Sequence, residues 1–284
     1  MSNVKLLYGR GELSVDLPET SDVTLIRKPR MPRLADPSLA VESTLSNPTA
    51  STILKKHAKN AKTACILICD ITRPVPNSLI LGPIIRKLMT LGIQSEQITI
   101  LIATGLHRPN EGKELEELIG DPWVLENTKV ENHFARDDSA HIEVGTTKKG
   151  NRILLDRRFV SADVRIVTGL VEPHFMAGYS GGRKVIAPGV AHAETITTFH
   201  SARYMEDPLA TNCNLDGNPL HEDQLEIVEM VGGALAMNVV IDEFRNLSFI
   251  NFGEIISSHL EAVAFIRKYA EVKVPRRFKT VLTS

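Results

Sequence analysis

Residues 63–77 read TACILICDITRPVPN: a continuous apolar run from Thr63 ends in an acid at Asp70, and a loop with two prolines follows. The spacing from Ser78 to Leu91 then turns helical. The same unit returns at residues 97–110, QITILIATGLHRPN, ahead of a helical stretch from Glu111 to Ile119. It returns again at residues 163–174, DVRIVTGLVEPH. Strands that are apolar on both faces and alternate with helices predict a doubly wound, mostly parallel, Rossmann-like α/β sheet covered on both sides. Such sheets bind ligands beyond the carboxyl ends of their strands, and Asp70, Arg73, His107 and His174 all fall there.

The flanking segments read as scaffold. Two short apolar runs between Val4 and Leu17 predict a small β-hairpin at the N-terminus, and VTLIRK from Val23 predicts another strand. Residues 38–60 have helical spacing, divided at Asn47-Pro48. Residues 130–155 predict a β-rich insertion with a turn at Lys148-Lys149-Gly150. Its two histidines, His133 and His141, are expected on the solvated surface. A helix from Leu220 to Val231, strands at 236–241 and 247–252, and an amphipathic helix from Glu254 to Val272 complete the pattern. The final run FKTVLTS is strand-like and suggests a following segment.

Composition narrows the function classes. The 284 residues are 43% hydrophobic and 24% charged with net charge -1, and the Lys and Arg residues are scattered among acids, so there is no basic footprint for nucleic acid. No apolar run approaches the roughly 20 residues that span a bilayer, and MSNVKLLYGRGEL lacks the apolar core of a signal peptide. Three cysteines cannot build a disulfide framework, which fits a reducing cytoplasm, where the sequon Asn246-Leu247-Ser248 is inert. Cys65 and Cys69 would share one face of a strand and read as buried thiols.

Residues 172–200, EPHFMAGYSGGRKVIAPGVAHAETITTFH, gather the most chemistry. Their glycines suggest close approach of the backbone to a ligand. His174, Lys184 and His200 offer an acid/base, an amine nucleophile and a metal-binding imidazole. GYSGGRK is not a phosphate loop of the Walker type, because Arg183 precedes the lysine and Val185 follows it, although glycine-rich backbone beside Arg183 could hold one phosphate. The neighbouring Arg183 and the apolar Val185-Ile186-Ala187 would lower the pKa of Lys184 and favour the neutral amine. His200 stands without HExxH or CxxC, so a metal bound there would need ligands from outside the protein. Asp70 and Arg73 share one loop, suited to orienting a histidine and capturing a carboxylate, with a structural salt bridge as the alternative. His107 and His174 place two imidazoles on different loops.

The motifs DITRP, ATGLHRP, EPHFMAGYSGGRKVIAPG and TTFH, in that order along nearly the whole chain, resemble the nickel-dependent lactate racemase family and its 2-hydroxyacid racemase and epimerase relatives. The resemblance implies a nickel-pincer cofactor, a pyridinium mononucleotide bearing thioamide and thiocarboxylate sulfurs. Lys184 would carry the covalent thioamide link and His200 would complete nickel coordination. It also implies His107 and His174 as paired acid/base residues, Asp70, Ile71, Thr72 and Arg73 as the cofactor-holding segment, and Arg73 as the contact to the substrate carboxylate. The expected activity is racemisation or epimerisation of a 2-hydroxy acid by proton-coupled hydride transfer. The expected partners are that small molecule and cofactor-building proteins.

The same resemblance implies that residues 1–273 form the cofactor-binding α/β domain. Residues 274–284 would open a C-terminal domain that closes over the cleft and supplies a lysine and a glutamine. Two other readings remain open from the residues alone: a Lys184 Schiff-base enzyme acting on 2-oxo acids, and a non-catalytic mononucleotide-binding module.

Overall fold

A computed structural model describes residues 2–9, 11–50 and 58–283. The aliphatic run of residues 64–69 forms strand β3 (Ala64–Cys69) after an N-terminal hairpin of β1 (Ser2–Tyr8) and β2 (Gly11–Leu17). Next come β4 (Ile98–Ala103), β5 (Lys129–Asn132), an insertion hairpin of β6 (His141–Thr146) and β7 (Arg152–Asp156), and β8 (Val164–Leu170). Two short strands, β9 (Pro173–His174) and β10 (Gly178–Tyr179), pair with each other, and β11 (Leu235–Ile241) and β12 (Leu247–Glu254) close the series.

Six of these strands build the main sheet in the order β12-β11-β8-β3-β4-β5, parallel throughout except for the antiparallel β11–β12 edge. The predicted doubly wound α/β architecture is therefore present. Alternate residues of β3 supply both faces: Ile66 and Ile68 pack into one apolar cluster with helices Pro37–Ser46 and Asn77–Thr90. Cys65 and Leu67 pack into a second, with Val185, Ile186, Ile227 and Val228. Ile66, Leu67 and Ile68 are fully buried, each worth about 1.5–3 kcal/mol relative to exposure.

The chain runs outward from β3 to β4 and β5, then returns to lay β8 on the other side of β3. That reversal is the topological switch point at which α/β sheets open a crevice. The register shows it opening. β3 and β8 pair only from Ala64/Val164 to Leu67/Val167, whereas β3 stays paired with β4 as far as Cys69/Ala103 and β8 with β11 as far as Leu170/Val239. The Thr168 hydroxyl donates to the Leu67 carbonyl at 3.2 Å, closing the ladder where the strands part.

Several expectations need correction. Residues 23–28 form no strand: the segment pairs with no strand edge among the described residues, and Leu25 and Ile26 stay exposed. Residues 278–283 likewise form no strand. The helical piece expected after Asn47-Pro48 lies largely outside the described residues. β5 belongs to the main sheet, so the insertion is only the β6–β7 hairpin, with its turn at residues 147–150 closed by Gly150 N–H on Thr147.

His133 and His141 are buried rather than solvated. His141 Nδ1 donates to the Asp137 carbonyl at 2.7 Å, leaving its Nε2 to accept from His133 Nε2 at 2.9 Å. The two polar rings satisfy each other, which is why an apolar-period reading missed their burial.

Candidate active site

The cleft at the parted ends of β3 and β8 has a volume of about 340 Å³. Its lining includes Asp70, Thr72 and Arg73 after β3, His107 after β4, His174 after β8, Lys184 in the short helix Arg183–Ile186, and His200 at the end of helix Ala193–Phe199. Of the expected cofactor-holding segment Asp70–Arg73, Ile71 turns away: it packs against the apolar core. A second cavity of about 420 Å³ lies beside the first and is lined by Ile26, Val171, Glu172 and Ile266, with none of the imidazoles or the lysine.

The loop after β3 is an Asx-type turn. Asp70 accepts from Thr72 N–H at 3.2 Å and from the Thr72 hydroxyl at 2.5 Å through Oδ1. Its other oxygen, Oδ2, meets His107 Nδ1 at 2.5 Å. A carboxylate only accepts, so His107 carries a hydrogen on Nδ1, which in the neutral ring leaves Nε2 as the acceptor. The loop after β4 is tied to the cradle by Gly105 N–H donating to Gly189 at 2.9 Å. Arg73 does not pair with Asp70; its Nη1 donates to Glu172 at 2.7 Å, bridging the loops that follow β3 and β8.

The cradle itself is held by protein, and its glycines serve packing. A Cβ on Gly182 would meet the His259 ring at 2.9 Å, and one on Gly181 would meet Val171 at 2.6 Å. Arg183 is buried and donates to Ala177, Tyr179 and His221, so its guanidinium is committed to holding the cradle together. Burial lowers its pKa to about 9.

Lys184, one residue on, is half-buried in the cleft, and its side-chain amine has no hydrogen-bond or ion-pair partner among the described residues. Burial, and next the charge of Arg73, lowers its pKa to about 8, with Arg183 a smaller contributor. The sequence expectation of a lowered pKa holds, with burial and Arg73 ahead of Arg183 as its cause.

His200 caps the helix Ala193–Phe199, and its Nδ1 donates to the Ile196 carbonyl at 2.8 Å. That fixes the tautomer and leaves Nε2 free to ligate, the orientation that metal-binding histidines commonly have. Among the described residues no group of three or more His, Cys, Asp or Glu side chains is placed to hold a metal ion. His174 Nδ1 accepts from the backbone N–H groups of Met176 and Ala177, at 3.2 Å each, and its ring stacks on exposed Phe175. Burial, then Lys184 and Arg73, pushes its pKa down to about 3.

Residues 8–212 match the family described as lactate racemase N-terminal domain. The chain belongs to that family. It is similar to the lactate racemase of Thermoanaerobacterium thermosaccharolyticum, 31% identical over 96% of this chain and 64% of the relative. It is also similar to that of Lactiplantibacillus plantarum, 32% identical over 82% of this chain and 54% of the relative. The chain thus spans about half to two thirds of these curated relatives.

Among solved structures, the lactate racemase apoprotein from T. thermosaccharolyticum superposes with a TM-score of 0.84 at 29% identity, covering 94% of this chain and 63% of that one. A Thermotoga maritima protein shares the fold with a TM-score of 0.66 at 23% identity, covering 80% and 57%.

Within this lactate racemase domain, sequence reasoning passed over several cleft residues. Cys69, Thr104 and Phe175 line the same space. Position alone would have found the first two, since each lies at the carboxyl end of a parallel strand. Burial, followed by the charge of Asp70, raises the Cys69 thiol to about 11, so it stays protonated. No helix among the described residues is long and apolar enough to cross a membrane.

Proposed function

We propose that this domain racemises or epimerises a 2-hydroxy acid of the lactate type with a nickel-pincer nucleotide tethered to Lys184. The observation that supports this most is the convergence of an unpartnered, depressed-pKa amine and a free imidazole Nε2 in one cleft with two further imidazoles. The residues fit such a group. Lys184 offers the amine for a thioamide link, His200 Nε2 offers one nickel ligand, and the group's own sulfurs and ring carbon would supply the rest. Asp70, Thr72 and Arg73 form the rim against which it would lie, with Ile71 anchoring that rim in the core. When bound, the group supplies a reversible acceptor for the substrate's Cα hydride.

The chain's own residues handle binding and protons. Arg73, braced by Glu172, offers a guanidinium to the substrate carboxylate. His107, with Asp70 behind it, is set to take the hydroxyl proton through Nε2, and His174 faces the same cleft as the second imidazole. Loss of the Cα hydrogen with its electron pair would avoid building a carbanion beside a carboxylate. The domain boundary proposed near residue 273 follows the end of helix Ile255–Ala270.

The test is to make the protein alongside the cofactor-building enzymes, then measure intact mass, nickel content and interconversion of D- and L-lactate. An added mass at Lys184 with one nickel is expected; an unmodified lysine without metal would count decisively against the proposal. The lowered pKa of Lys184 also suits a Schiff base to a 2-oxo acid. Borohydride trapping in metal-free protein separates that reading, because only the Schiff base leaves a reduced adduct.

A further inference from the structure

We infer that Thr195 is the positioning residue for His200: its hydroxyl takes the place of a main-chain partner of β7 and so fixes the helix that presents His200 to the cleft. The inference rests on the proposed function, in which His200 is the nickel ligand, and adds to it a side chain from outside the cleft lining.

One edge of β7 is taken by β6. Along its other edge residues 190–192 run antiparallel. Asp156 N–H donates to the Val190 carbonyl at 2.9 Å, Leu155 bridges Ala191, and His192 N–H donates to the Leu154 carbonyl at 3.0 Å. In a regular ladder the His192 carbonyl would accept from Leu154 N–H in return, because opposed residues of such a pair exchange both bonds. Here that carbonyl accepts Ile196 N–H at 3.0 Å, the first bond of the helix Ala193–Phe199, and Leu154 N–H is left over. The Thr195 hydroxyl takes it, accepting from Leu154 N–H at 3.1 Å and donating to the Arg152 carbonyl at 3.1 Å. A side chain thus continues the ladder where the main chain coils into helix.

The consequence is directional. Seven residues are about two turns, too few to hold a helix by its own bonds. Ile196 and Phe199 bury its apolar side, but apolar contacts are non-directional and leave rotation about the axis weakly set. Two hydrogen bonds to the hydroxyl of a fully buried threonine do set it, since both weaken steeply off line. Ile196 is the next residue, and its carbonyl accepts from the His200 backbone N–H at 3.2 Å and from His200 Nδ1 at 2.8 Å. The phase fixed at Thr195 therefore reaches, through one peptide, the carbonyl that orients the imidazole. The other two threonines of the helix bond only backwards along it, Thr197 to Ala193 and Thr198 to Glu194.

The test uses protein made alongside the cofactor-building enzymes, with nickel per Lys184 adduct measured after dialysis against a competing chelator. Thr195→Val keeps the shape and loses both bonds; it should hold about tenfold less nickel with the adduct mass unchanged. Thr195→Ser, which restores the hydroxyl, should hold nickel like the unchanged protein, and so should Thr197→Val. Full nickel in Thr195→Val, or an equal loss in Thr195→Ser or Thr197→Val, overturns the inference. Thermal unfolding of each variant shows whether it folds; if Thr195→Val does not, Thr195→Cys, whose thiol bonds weakly, replaces it with the same expectation. If the unchanged protein carries neither adduct nor nickel, the proposed function falls instead. Nitrogen-15 NMR of the cofactor-free, histidine-labelled chain then decides: His200 should be protonated on Nδ1 alone, and the Thr195→Val exchange should mix its two tautomers. An unmixed His200 in that variant overturns the inference.

Discussion

His107 Nδ1 and Asp70 Oδ2 lie 2.5 Å apart across the carboxyl ends of β4 and β3, and this contact turns the imidazole's Nε2 away from the carboxylate. Asp70 is nearly fully buried while the His107 side chain remains 63% exposed, so the carboxylate is a fixed anchor and the ring remains reachable. Asp70→Asn should leave the fold intact but allow the ring the wrong tautomer, lowering interconversion about 10²–10⁴-fold. Steady-state rates on both lactate enantiomers check this; a loss under tenfold would show that Asp70 does not set the tautomer.

Lys184 should react as an unusually acidic amine. Its pKa is lowered to about 8, so the neutral, nucleophilic fraction rises through about pH 8 instead of near the ordinary lysine value of about 10.4. Acylation of the cofactor-free protein by an amine-selective reagent, followed site by site with mass spectrometry from pH 6 to 10, should show Lys184 titrating first. Arg73→Gln removes the second-largest cause and should move that midpoint upward; an unmoved midpoint would leave burial as the whole explanation.

The organic and metal parts of the proposed cofactor should separate by mutation. His200→Ala removes the imidazole that Ile196 orients, and with it the one protein ligand placed for nickel. Nickel content should fall at least tenfold while the added mass on Lys184 persists. Lys184→Ala should lose both.

The fold was legible because β3, β4 and β8 are apolar on both faces, a pattern that only a sheet covered on both sides satisfies. The site was legible in part for the same reason: strand ends mark where ligands go, and Asp70, Arg73, His107 and His174 stand at three of them. What resisted reading was pairing. Nothing in the chain says that Arg73 meets Glu172 and not Asp70, or that Gly182 and Gly181 make room for His259 and Val171. Residues 23–28 and 278–283 carry β-forming side chains, yet strand formation needs a free edge in reach, which no local pattern encodes.

The buried His133 gives stability an acid limb. Its pKa is lowered to about 4, first by burial, with Asp156 opposing and His141, Arg158 and His192 reinforcing the shift. Between about pH 6.5 and 4 the unfolded chain therefore binds a proton that the folded ring refuses, so stability rises with pH across that window. The contribution is complete above about pH 6.5 and lost as pH falls toward 4, at most about 3 kcal/mol from this group. His174 and His221, both lowered to about 3 chiefly by burial, act with the same sign. Thermal unfolding midpoints recorded from pH 4 to 8 should fall steadily below about 6.5, and His133→Asn, in which no imidazole is left to protonate, should flatten part of that slope. A midpoint independent of pH down to 4.5 would mean that these rings are protonated, and so hydrated, in the folded protein.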